Sequence, residues 1–108
     1  MFIQNASVKP RELLTGVALK TLAWGSKTLM AQFNLAKGSQ IPVHQHPNEQ
    51  TGYLVSGHMR LTVADASFEA GPGDSWSIPM DVPHSATAHE DCVVVEVFAP
   101  VREDYLPA

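Results

Sequence analysis

The stretch Gly38-Ser-Gln-Ile-Pro-Val-His44-Gln-His46-Pro-Asn-Glu49-Gln50-Thr-Gly-Tyr-Leu-Val-Ser-Gly57 decides how this chain is read. It sets two histidines two positions apart and follows them with an acid and an amide, Glu49 and Gln50. On an extended strand, side chains two apart leave the same face, so His44 and His46 aim both imidazoles at one point. Past Pro47-Asn48 the chain can bend and re-enter as the next strand, bringing Glu49 or Gln50 back towards the pair. Which of the two arrives decides the chemistry of any metal held there.

The neighbouring segments carry the same twofold period. Leu29, Ala31, Phe33 and Leu35 fall on one face of a strand, with Gln32 and Asn34 on the other. Tyr53 to Val55 is a strand closed by Ser56-Gly57. Met59, Leu61 and Val63 alternate next, and Asp65-Ala-Ser67 is expected to turn that strand back into Phe68-Glu-Ala as a hairpin. Gly71-Pro-Gly73-Asp marks a turn before Ser75-Trp-Ser-Ile78, and His84 to Ala88 and Cys92 to Phe98 supply two further strands. Leu19 to Trp24 reads as strand, and Lys9 to Leu14 as a short helical turn. Many short strands without a linker or low-complexity segment predict one all-β domain over residues 1–108, an antiparallel sandwich or barrel.

Composition narrows the partners. At 108 residues and 44% hydrophobic content the chain suits one core, and a net charge of -4 offers no basic surface for nucleic acid. Cys92 is the single cysteine, which excludes an internal disulfide and a cysteine-based zinc site; in the run Cys92-Val-Val-Val it reads as a buried, inert thiol. No segment approaches the ~20 apolar residues of a membrane span, and the N-terminus lacks the pattern of a signal peptide, so a cytoplasmic location is expected.

Of the five histidines, His84 follows a separate turn, Pro79-Met-Asp-Val-Pro83. A distant histidine presented by a second hairpin is a common way for a sheet to complete a site. Imidazoles with an oxygen ligand suit one divalent transition metal ion (Zn, Ni, Fe or Mn) rather than Ca or Mg. His58 and His89 sit beside turns, match no ligand position, and are expected to be solvated or to stand just behind the ligands.

The run Gly38-x5-His44-x-His46-x3-Gln50-x6-Gly57 resembles the first motif of the cupin superfamily, and Gly73-x5-Pro79-x-Asp81-x2-His84-x3-Ala88 resembles the second. The latter departs at Asp81, where glycine is usual, and at Ala88, where asparagine is usual. The resemblance implies a cupin-type antiparallel β-barrel, the double-stranded β-helix or jelly roll. It also implies that His44, His46, Gln50 and His84 are the metal ligands, with Gln50 where glutamate is more usual. A neutral amide leaves the metal's double charge uncompensated, which favours Lewis-acid work over higher oxidation states.

The last strand places Val94, Glu96 and Phe98 on one face. Glu96 is either an outer-face acid or, if it faces the interior, an acid or base beside the metal with Phe98 as cavity wall. Arg102, beyond Pro100, is placed to close over the mouth and take a carboxylate bidentately. The ending Phe98-x-Pro100-x-Arg102-Glu-Asp104-Tyr-Leu106 resembles the small single-domain KdgF-like cupins of uronate catabolism, although aspartate is usual where Glu96 stands. That likeness implies metal-dependent isomerisation of 4,5-unsaturated monouronates, from pectin or alginate, to linear ketonised forms, with Glu96 and Arg102 acting on the acidic sugar. Tyr53 and Trp76 are further candidates for the cavity wall, Trp76 equally for core packing. Two other readings are an Fe(II)-dependent dioxygenase acting on a small diketone and a non-catalytic sugar-binding barrel. Open sheet edges make a homodimer the expected assembly, with residues 1–12 as candidates for exchange.

Overall fold

A computed structural model describes residues 1–107. Ten strands run in order: β1 (Arg11–Leu14), β2 (Val17–Trp24), β3 (Leu29–Leu35), β4 (Gln40–His44), β5 (Glu49–Ser56), β6 (Met59–Val63), β7 (Ala66–Ala70), β8 (Ser75–Ile78), β9 (His84–Ala88) and β10 (Cys92–Ala99). They form a six-stranded sheet ordered β1-β2-β3-β10-β5-β8 and a four-stranded sheet ordered β4-β9-β6-β7. Every pairing is antiparallel. The expected all-β jelly roll is the architecture observed.

The core lies between the inner faces of the two sheets, where Val17, Leu19, Leu29, Leu54, Ile78 and Phe98 are fully buried. Alternation assigns those faces. Along β10, Cys92, Val94, Glu96 and Phe98 are buried while the valines between them are half-buried. Along β5, Gln50, Gly52 and Leu54 point in and Thr51, Tyr53 and Val55 point out. Cys92 is buried, and its Sγ donates to the carbonyls of His58 and Glu90, as suits an inert thiol.

Three local expectations are corrected. Residues 9–14 form no helical turn: β1 begins at Arg11 and pairs with β2 through a hairpin whose Gly16 has φ +79°. A Cβ on Gly16 would also lie 2.9 Å from Ser39 Cβ, so glycine serves both turn and packing. The β6–β7 turn is Ala64-Asp65, one residue earlier than expected, because Val63 already pairs with Ala66. His46 lies just beyond β4, which ends at His44, so its ring reaches the site from the connecting loop.

Candidate metal centre

His44 on β4 and His84 on β9 are directly paired across the four-stranded sheet, with ring centroids 4.1 Å apart. His46 joins them from the loop, 5.0 Å from the His84 ring and 5.8 Å from the His44 ring. The loop is fixed by two contacts: His46 accepts at its backbone oxygen from Asp81 N, and the buried Asn48 donates from Nδ2 to Pro100 O. Asp81 has φ +59°, which accounts for the glycine usual at that position; aspartate is among the few other residues that tolerate it.

Each imidazole spends Nδ1 in the same way. His44 donates to Pro42 O at 2.9 Å, His84 to Val82 O at 2.8 Å and His46 to Asn48 O at 3.0 Å. A carbonyl only accepts, so the proton of each neutral ring sits on Nδ1 and the Nε2 lone pair is free. One nitrogen from each of the three rings falls within 4.8 Å of the others. His84 Nε2 is buried without a partner, and Gln50 Oε1 lies 3.0 Å from His46 Nε2. In this tautomer those last two atoms are both acceptors, a juxtaposition that a shared cation satisfies. Burial holds the basicity of His84 down to about 4 and also lowers that of His46, so both rings are unprotonated at neutral pH, the state a metal ligand requires. The donor set fits one divalent transition metal ion. Glu49 lies exposed on the outer face of β5.

The register puts Glu96, Gly52 and Trp76 in one row across β10, β5 and β8. Glu96 is 6% exposed; Trp76 Nε1 donates to its Oε1 at 3.2 Å, and Oε2 has no partner. Burial pushes this carboxyl up to about 7, against the lowering pull of the Gln50 amide and the Trp76 N–H. A carboxyl poised there both gives and takes protons near neutrality. The row exists because residue 52 is glycine: a Cβ there would collide with Trp76 Nε1 and Glu96 Oε2. A lone glycine inside a strand pattern is the sequence signal for this close approach.

Arg102 lies over the Tyr105 ring at 3.9 Å and the Phe98 ring at 5.2 Å. Its Nε and Nη2 donate to Asp104 Oδ1 and Oδ2 at 3.2 and 2.7 Å. The tail carrying it is tied down where Arg11 donates to Asp104 O and Thr21 Oγ1 to Tyr105 O. Asp104 and Tyr105 thus orient the guanidinium, a role visible only once the tail is folded back.

His44, His84, Gln50, Glu96, Phe98 and Arg102 share one cavity of about 230 Å³. Two wall candidates lie elsewhere. Tyr53 is 49% exposed on the outer face, because Gln50, Gly52 and Leu54 take the inward phase of β5. Trp76 stands behind Glu96 and lines a separate cleft with Phe68, so its contribution is the hydrogen bond and not a wall. His58 and His89 are surface groups, paired with Glu90 and Glu69.

The family model for the cupin domain matches residues 31–98. The structure of KdgF from Halomonas sp. is similar with a TM-score of 0.93 and 27% identity, covering 98% of each chain. An RmlC-like cupin from Shewanella frigidimarina NCIMB 400 is similar with a TM-score of 0.93 and 24% identity, over 97% of this chain and 95% of that one. No curated protein sequence matches the chain.

Proposed function

The chain belongs to the cupin family, and on that premise we propose that it is a metal-dependent isomerase or tautomerase acting on a small carboxylic acid through its enol. Its likeness to KdgF supports a 4,5-unsaturated monouronate as substrate. The observation that carries the reading is the buried Glu96 carboxyl, with one oxygen unpartnered, in the same cavity as His44 and His84.

In this reading His44, His46, His84 and Gln50 hold one divalent transition metal ion. Bound there, the ion would supply positive charge to an enol or carbonyl oxygen. All four ligands are neutral, which favours this work over a dioxygenase cycle needing higher oxidation states. Arg102 presents its guanidinium to the substrate carboxylate, and Asp104 keeps it oriented. The ring hemiacetal C–O bond opens: the anomeric carbon becomes an aldehyde, and its hydroxyl proton passes to the ring oxygen, which is left as an enol hydroxyl. Glu96 then hands its proton to carbon, and the proton released as the enol oxygen becomes a carbonyl returns the carboxylate to its acid form. Atoms and electrons balance within the isomerisation, and no oxidant enters.

The substrate partner is thus a small acid, neither nucleic acid nor membrane. A homodimer fits the edge strands β1, β8, β4 and β7 that the two sheets leave unpaired. The activity is tested by giving the metal-loaded protein 4,5-unsaturated galacturonate and following the loss of absorbance of its conjugated double bond. Gln50→Ala and Arg102→Ala are expected to lose most of the acceleration. Decay at the rate of buffer alone with the wild type rejects the proposal.

A further inference from the structure

The lining of the cavity beside the histidines is mostly apolar. His44, His84, Gln50, Glu96 and Arg102 supply its charged and amide groups, while Leu13, Leu14, Val17, Ile41, Met59 and Leu61 belong to the rest. Ser85 and Tyr105 are the only serine, threonine or tyrosine residues of the lining among the described residues, and Ser85 alternates away from the inward-facing His84 and Ala86. The two leucines arrive through an irregularity in β1: the register steps from Glu12↔Ala18 to Leu14↔Val17, leaving Leu13 as the extra residue. A bulge of this kind lets two consecutive side chains reach one cavity.

We propose that this cavity takes a second class of substrate, an enol or keto acid with an aryl or alkyl body, and binds it more tightly than a monouronate. The inference rests on the reading of the site as an acid–base centre for a carboxylate-bearing enol. The carboxylate goes to Arg102, the enol or keto oxygen to the histidines, and the body lies against Leu13, Leu14, Ile41, Met59 and Leu61. Phenylpyruvate and a 4,5-unsaturated monouronate have equal numbers of non-hydrogen atoms, so volume does not separate them. Hydroxyls do. Each sugar hydroxyl brought against the leucines gives up water with no partner in return, a loss of about tenfold or more in affinity apiece. An aryl ring at the same place gains by leaving water. On phenylpyruvate the step would be enol to keto: the hydroxyl proton leaves, a C–H bond forms, and nothing is oxidised.

Calorimetric titration of the nickel-loaded protein with phenylpyruvate and with galacturonate tests this directly, because it reads binding and not turnover. Phenylpyruvate is expected to bind about tenfold more tightly or better. Leu14→Asn, at a lining position that is 43% exposed and therefore tolerant of change, is expected to weaken phenylpyruvate about fivefold and to tighten galacturonate, whose hydroxyls gain an amide partner. Equal or tighter binding of galacturonate, equal loss of both ligands in Leu14→Asn, or no binding of phenylpyruvate overturns the inference. If phenylpyruvate binds preferentially but neither its enol nor unsaturated galacturonate is consumed faster than in buffer, the selectivity stands and the proposed activity falls. If unsaturated galacturonate is turned over but phenylpyruvate does not bind, the activity stands and the selectivity falls.

Discussion

Trp76 reaches Glu96 across an intervening strand, its Nε1 donating to Glu96 Oε1 at 3.2 Å over the bare Cα of Gly52. β5 separates the two strands, and any side chain at position 52 would occupy the space in which indole and carboxyl meet. The orientation of the one buried acid in the cavity therefore depends on a residue with no side chain.

Gly52→Ala is expected to destabilise the protein by roughly 1–3 kcal/mol, since both atoms its Cβ would meet belong to a packed row. Gly25 serves as the control, because a Cβ added there would meet nothing within 4 Å. Gly25→Ala should leave the unfolding midpoint nearly unchanged. Thermal unfolding of the two variants makes the comparison.

Glu96 gives the metal-free protein a pH dependence of known sign. Its carboxyl, raised from 4.5 to about 7, keeps a proton in the folded state that the unfolded chain has already released. Stability therefore falls as pH rises from about 4.5 to 7, by on the order of 3 kcal/mol in all. His84, lowered from 6.5 to about 4, acts oppositely: stability is lost as pH falls from 6.5 towards 4. The histidine is common to wild type and Glu96→Gln, so its effect cancels in their difference. Metal-free Glu96→Gln should unfold on the order of 10 °C above wild type at about pH 8 and at the same temperature at about pH 4. A constant difference at both pH values would contradict the assignment.

Metal binding should appear as added stability. A divalent transition metal that binds only the folded chain raises the unfolding midpoint with its concentration. His84→Ala should abolish that rise, because it removes a buried donor nitrogen on which the other two rings converge. Glu49→Gln should retain the rise, since Glu49 is exposed. Metal content by elemental analysis gives an independent reading of the same variants.

Arg102 and Asp104 should separate binding from chemistry. Asp104→Ala leaves the guanidinium its stacking on Tyr105 but removes both hydrogen bonds that orient it. KM for a carboxylate substrate is expected to rise about tenfold with kcat within a few-fold, and Asp104→Glu to restore part of the loss. A fall in kcat at unchanged KM would point to a different role.

Much of this arrangement is legible in the chain itself. The twofold period of β10 pairs Glu96 with Val94 and Phe98, and the His44-x-His46 spacing with the separate His84 marks three of the clustered rings. The period alone leaves open which face of β10 is inner, so Glu96 could equally have met solvent. The answer comes from the register against β5, a pairing between residues more than forty apart in sequence. Tyr53 is misplaced for a related reason: once Gln50 points inward, every odd residue of β5 points out. The helical turn expected near Lys9 fails although Arg11-Glu-Leu-Leu14 consists of good helix formers, because so short a segment cannot hold a helix alone and pairing with β2 decides its conformation. Asp104 and Tyr105 meet Arg102 only where the tail is anchored by Arg11 and Thr21, contacts that no local pattern announces.

In the proposed reaction Glu96 moves the proton in a centre that also depends on the bound metal. The most direct measurement follows the absorbance of 4,5-unsaturated galacturonate with metal-loaded wild type, metal-loaded Glu96→Gln and chelator-treated wild type side by side. Acceleration by the loaded wild type, a loss of about 10²-fold or more in Glu96→Gln at unchanged metal content, and recovery of the chelated sample on adding metal back are the expected results. A Glu96→Gln protein as fast as wild type, or a wild type indifferent to chelation, would contradict the account.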